Sequence, residues 1–262
     1  MKIFDPHVHM ISRTTDDYEK MALAGVEVIV EPAFWLGEPR KHAGTFFDYF
    51  DHITNFEVER AAQYGIKHYA TIAVNPREAN DRKLSEEVLS AMPKWLSNKW
   101  VVAIGEIGFD RITEAEEEAF RRQVEMAAEH RLPVLIHTPH REKPRGTQRT
   151  IEILKEMKAD MSKILIDHNT EETIDLSRKS GAWSGHTVYP VTKLSPERMA
   201  NILQKYGVDK MLVNSAADWG PSDPLSVPRV IVELRKRAFP EADIQKLVWQ
   251  NPHDFFGQSG RL

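Results

Sequence analysis

Eight short apolar runs rich in valine and isoleucine recur along the chain, each followed by a longer stretch of helical periodicity. They cover 2–9, 26–34, 67–76, 101–110, 133–139, 163–169, 181–190 and 210–218. Most are continuously apolar, which suits strands of a parallel sheet covered on both faces. The stretches between them carry helix signals. Thr113 to Glu116 reads as a capping box, Thr170 and Ser195 as N-caps, and Pro196 as a first helical residue. Gly65, Gly181 and Gly207 each follow a helical pattern closely, as helix-ending glycines do. Eight strand–helix units in 262 residues predict an α/β fold, a (β/α)8 TIM barrel, as one domain over 1–262. A doubly wound open sheet would use fewer strands and a glycine-rich first turn, and no G-x-G-x-x-G or phosphate loop occurs. The segment 248–256 reads as a terminal helix packing its aromatics on the barrel.

Within this frame the polar residues fall in an unusual place. The first run ends in Asp-Pro-His-Val-His, putting His7 and His9 two residues apart and so on one side of an extended chain. Glu106 interrupts the fourth run, His137 ends the fifth, His168 ends the sixth, and Asp218 follows the eighth. In a barrel of this kind such positions open onto the C-terminal mouth, where the chemistry is done. Gathering so many ionisable groups in one cavity is costly unless a cation compensates them, so a divalent metal centre is expected. The chain has no cysteine, which leaves His, Asp and Glu as ligands and excludes thiolate chemistry and disulfides. His42, His52, His68, His130 and His253 fall in helical or loop positions and read as surface or capping residues. His140 and His186 lie just past the fifth and seventh runs and read as possible substrate contacts.

Charge argues against a nucleic-acid-coating protein: the net charge is −4 and the isoelectric point about 6.3. With no signal-like N-terminus and no run of 18 apolar residues, the reading is a cytoplasmic protein with no membrane association.

The segments DPHVH, GEIGFD, LPVLIHTPHR, IDHN and NPHDFF, spread over nearly the whole chain, resemble the TatD-related metal-dependent hydrolases of the amidohydrolase superfamily. The resemblance implies a TIM barrel with one or two divalent ions, zinc or manganese in the first place. His7 and His9 would bind one ion with Asp218, and Glu106 would bridge to a second held by His137 and His168. It also implies a metal-activated water attacking a phosphoryl or carbonyl centre, with Asp218 moving the proton. The neighbours of these ligands differ from the deoxyribonuclease type, with Phe109-Asp110-Arg111 where Leu-Asp-Tyr is usual and Asn169-Thr170 after His168.

The substrate is accordingly expected to be a phosphoester or another small molecule, with nucleic acid as substrate only. Hydrolysis of an amide or lactone, and a metal-dependent barrel isomerase or lyase, are the alternatives. An isomerase would want a strand-end lysine, and no strand end carries one. Arg141, Lys143 and Arg145 beyond His137 suit an anionic group, and Phe34, Trp35 and Trp219 suit a stacked ring. Arg141, His140, His186 and Trp219 are the expected substrate contacts. Oligomeric state is left open.

Overall fold

The computed structural model describes residues 1–262. Eight parallel strands form one sheet in sequence order: β1 (Ile3–Asp5), β2 (Val26–Pro32), β3 (Lys67–Ile72), β4 (Val101–Gly108), β5 (Val134–His137), β6 (Ile164–Ile166), β7 (Trp183–Thr187) and β8 (Met211–Asn214). The connections carry α1 (Thr15–Leu23), α2 (Ala43–Asp51), α3 (Glu57–Ala62), α4 (Arg82–Ala91), α5 (Pro93–Leu96), α6 (Glu114–His130), α7 (Lys143–Glu156), α8 (Ile174–Ser180) and α9 (Pro196–Tyr206). After β8 come α10 (Ser226–Lys236), α11 (Glu241–Gln245) and α12 (Asn251–Phe256). This is the expected (β/α)8 barrel. No helix is long and apolar enough to cross a membrane.

The barrel closes at a narrow seam. Between the first and last strands the pairing runs through the single bridge Val8–Ala217. His9 N donates to Ala217 O at 2.8 Å, and Ala216 N donates to His7 O at 2.8 Å.

Strand periodicity sorts the interior. Phe4, Val30, Val102, Leu135, Leu165 and Leu212 fill the lower barrel together with Phe255 and Phe256 of α12, which stopper its N-terminal end. Two residues further along their strands, the same inward face becomes polar: Leu135 is followed by His137, Leu165 by Asp167 and Leu212 by Asn214. The apolar floor thus positions a polar layer directly above it. Gly185 is what makes room there, because a Cβ at that position would collide with the Asp167 carboxylate.

The expected caps at Thr113 and Ser195 form, the first as a full capping box with Glu116. Thr170 instead opens a turn, and α8 begins after Thr173. Several strands stop short of the expected limits: β1 ends at Asp5, β6 at Ile166 and β8 at Asn214. Beyond those ends the backbone leaves the ladder, with His168 at φ 59° and Ala216 at φ 40°.

Candidate metal centre

The His-Val-His segment continues from β1 and is clamped from below. Asp5 Oδ1 accepts from His7 N at 3.3 Å and from Ser215 N at 3.2 Å, fastening the exit of β1 to the exit of β8. Burial pushes the Asp5 carboxyl up to about 7 against those hydrogen bonds. His9 lies flat on Phe34, ring centres 3.7 Å apart at 11°, which fixes its orientation.

Glu106 is the meeting point. Its Oε1 lies 3.2 Å from His137 Nδ1, 3.0 Å from His168 Nε2 and 3.6 Å from His7 Nε2. His7 Nε2 in turn lies 3.0 Å from His9 Nε2. The ligand atoms of His7, Glu106 and His168 are all within 4.8 Å of one another, and all three residues are buried. Burial alone would raise the Glu106 carboxyl, but His7 and His137 hold it well below the usual range. Burial, then Lys193, keeps the charged form of His168 strongly disfavoured; burial, then His7, does the same for His9.

Behind these rings runs a continuous hydrogen-bonded chain. Asp167 Oδ2 lies 2.7 Å from His7 Nδ1; a carboxylate only accepts, so the His7 proton sits on Nδ1 and Nε2 presents its lone pair. Asn214 Nδ2 also donates to Asp167, at 3.0 Å, so Asn214 Oδ1 faces Thr187 and accepts its hydroxyl at 2.8 Å. The Thr187 oxygen therefore receives the Nδ1 proton of His168 at 2.6 Å. His168 Nε2 is left with a lone pair 3.0 Å from the Glu106 carboxylate. Acceptor faces acceptor at that contact, and two ring nitrogens face each other between His7 and His9. A cation among them satisfies all four groups, so the donor set fits a divalent ion.

Asp218 lines the same cavity as these residues. Its Oδ1 accepts from Tyr189 Oη at 2.8 Å and from Gly220 N at 2.8 Å, leaving Oδ2 without a partner. Asp223, the neighbouring acid, turns away to pair with Arg229 beside α10. Of the expected substrate contacts, His140 lines the cavity, and Trp219 stands at its rim, stacked on Phe34 at 4.9 Å and edge-on to Trp35.

Two expected contacts are not brought to the mouth. His186 lies inside β7, on the face opposite Thr187, fully buried with Nδ1 toward Leu212 O. Arg141 is exposed and lies outside the cavity, Arg145 pairs with Glu142, and Lys143 donates to Thr138. The basic stretch 140–146 therefore does not form the expected anion grip. His68 corrects the sequence reading as well. It is neither a surface nor a capping residue but fully buried, 2.8 Å from Glu31 Oε2, because β2 and β3 pair side by side and turn both residues outward under the helices.

The sequence reading missed Thr187, and also Asp167 and Asn214, although those two end apolar runs as several of the expected ligands do. It also missed Asn75, Arg77, Asp110 and Lys193, which line the cavity from loops. Lys193 in particular supplies the mouth with a lysine that no strand end carries.

Residues 4–257 match the family of TatD-related DNases. The chain is 32% identical over 256 residues to an uncharacterized metal-dependent hydrolase of Methanocaldococcus jannaschii, spanning 97% of this chain and 99% of that protein. Among solved structures it is similar to a TatD-like protein from Archaeoglobus fulgidus, with TM-score 0.79, 27% identity and coverage of 97% and 99%. A mutant PTE-like lactonase from Deinococcus radiodurans, at 16% identity, TM-score 0.71 and coverage of 97% and 95%, shares the fold.

Proposed function

The chain belongs to the family of TatD-related DNases, and from that premise we propose that it is a metal-dependent hydrolase of phosphoesters. The observation that carries this reading is the convergence of three imidazole nitrogens on the single oxygen Oε1 of Glu106. His7 and His9 would hold one divalent ion and His137 and His168 a second, with Glu106 between them. A set of neutral imidazoles and carboxylates suits zinc or manganese. Such an ion, when bound, supplies Lewis acidity and lowers the pKa of water from 15.7 to about 7.

The protein's own groups then have distinct tasks. Asp167 and Thr187 hold the rings of His7 and His168 in the tautomers that turn Nε2 toward the centre. Asp218, steadied through Oδ1 by Tyr189 and the Gly220 amide, takes the proton of the attacking water on Oδ2 and passes it to the leaving oxygen. Phe34 and Trp219 wall one side and would stack a ring of the substrate.

The test is metal analysis of protein purified without chelators, followed by turnover of phosphodiester, phosphomonoester, lactone and amide substrates with added Mn²⁺ or Zn²⁺. At least one ion per chain and turnover of a phosphoester are expected. Turnover confined to lactones or amides would transfer the reading to carbonyl hydrolysis, and a chain that neither holds metal nor hydrolyses any of them ends it.

A further inference from the structure

Lys193 is held in the mouth with nothing to donate to. The loop after β7 folds back on itself through the bridge Val188–Leu194, with Tyr189 N donating to Leu194 O at 3.0 Å and Leu194 N to Thr187 O at 3.2 Å. Val191 stands out at the tip, 95% exposed, Leu194 is buried, and Arg198 grips the Lys193 carbonyl at 2.7 Å. This turn delivers the Lys193 side chain into the cavity lined by His7, Glu106, His168 and Asp218.

Its Nζ lies 3.2 Å from Nδ1 of His168. That nitrogen cannot serve as its acceptor, because the Asp167–Asn214–Thr187 chain leaves Nδ1 of His168 carrying a proton already given to Thr187. Lys193 makes no ion pair with Glu106, Asp167 or Asp218; burial pushes its ammonium below the usual range, and the three carboxylates only partly offset that. An amine constrained in this way, beside the groups that would hold the metal ions, has an unmet need for an acceptor. A second cation stands nearby, exposed at the rim: Arg77 lies over the Trp35 ring at 3.7 Å and forms no ion pair. Asn75 and His140 add neutral hydrogen-bonding groups to the wall.

We propose that Lys193 is the specificity residue of this centre, receiving an anionic non-bridging oxygen of a phosphoryl group, so that anionic phosphoesters are preferred over neutral esters. This rests on the hydrolase reading for the reaction, but the binding claim is separable from it. Lys193 docks the substrate anion; the proton transfer stays with Asp218.

The experiment compares wild type with Lys193→Gln and Lys193→Arg, each loaded with zinc to equal metal content. Calorimetric titration with inorganic phosphate is the first readout, and acetate is the control anion. The second readout is kcat/KM on bis(p-nitrophenyl) phosphate, an anionic diester, against a neutral phosphotriester. Removing a hydrogen bond to a charged group should weaken phosphate binding by about 30-fold in the Gln variant, with partial recovery in the Arg variant. The diester should lose at least about tenfold more than the triester, mainly through KM. Equal losses on the two substrates, unchanged phosphate affinity in the Gln variant, or an acetate response equal to that of phosphate would each overturn the proposal. Protein that binds phosphate through Lys193 yet turns over neither ester nor any other substrate of the panel supports it while overturning the hydrolase reading.

Discussion

The carboxylate of Asp167 reaches Nδ1 of His7 at 2.7 Å with both groups shut away from solvent, and its other partners are Asn214 and the backbone of His168. One acid thus orients two of the rings at the centre. In Asp167→Asn an amide can donate to Nδ1, which moves the His7 proton to Nε2 and closes that ligand. Loss of such a supporting partner should weaken divalent-ion binding by about 10–100-fold. Competition with a fluorescent chelator measures it, and a folded Asp167→Asn variant of unchanged affinity would contradict the role.

Asp218→Asn should keep its metal and lose turnover. The amide retains the shape that Tyr189 and Gly220 recognise but carries no proton to the leaving group, so kcat should fall by about 10²–10⁴-fold. Metal content and kcat are read on the same preparation. Parallel loss of both would mean that Asp218 acts as a ligand and not as a proton carrier.

Removing metal should soften the fold. A ligand at 100 times its Kd adds about 2.7 kcal/mol, and at about 2–4 °C per kcal/mol for a chain near this size EDTA should lower Tm by about 5–10 °C. Restoring Mn²⁺ or Zn²⁺ should recover it. A melting temperature indifferent to both additions counts against a resident ion.

A second buried pair sets a pH dependence away from the centre. Burial, then the carboxylate of Glu57, raises Glu31 well above its usual value, so the folded state keeps a proton there that the unfolded chain has lost. Burial lowers His68 to about 4, so there the unfolded chain carries the extra proton from about pH 4 to 6.5. From pH 4.5 to 6.5 the two effects oppose each other. Above 6.5 the His68 contribution no longer changes, while the proton held on Glu31 makes its own contribution fall with rising pH by at most about 1.4 kcal/mol per unit. Asp5 and Lys143 add a background that the variant comparison cancels. The His68 contribution is lost as pH falls from about 6.5 to about 4 and is constant below that. Glu31→Gln should remove the Glu31 share of the alkaline slope and leave the acid one; denaturant unfolding from pH 6 to 9 decides, and an unchanged slope in the variant refutes the assignment. Tyr18, His52, Glu57 and Arg60 share this pocket and are kept intact in the comparison.

The sequence was most legible where a residue's neighbours share its fate. Continuous apolar runs announce eight parallel strands, and an ionisable group interrupting or ending such a run marks His7, His9, Glu106, His137 and His168, which the barrel gathers together. The same rule applied to Asp167 would have exposed the acid behind His7, whereas Thr187 and Asn214, which do not ionise, fall outside it. Strand lengths were overread because the groups at the mouth sit where the backbone has already turned out of the ladder, as at His168 and Ala216. His186 reads as lying just past the seventh run but sits inside β7, next to the inward-facing Thr187, where alternation puts its ring on the other face. Lys193 left no trace in the pattern: it comes from a loop whose fold-back depends on pairing between Val188 and Leu194, which periodicity does not report.

The seam at Val8 and Ala217 bears on how the protein matures. His7 and His9 are synthesised well before the turn beyond the eighth strand, whose backbone pins them. A growing polypeptide therefore holds an unfinished set of ligands until that turn has emerged. Fixing of His7 and His9 in place must await synthesis of that turn.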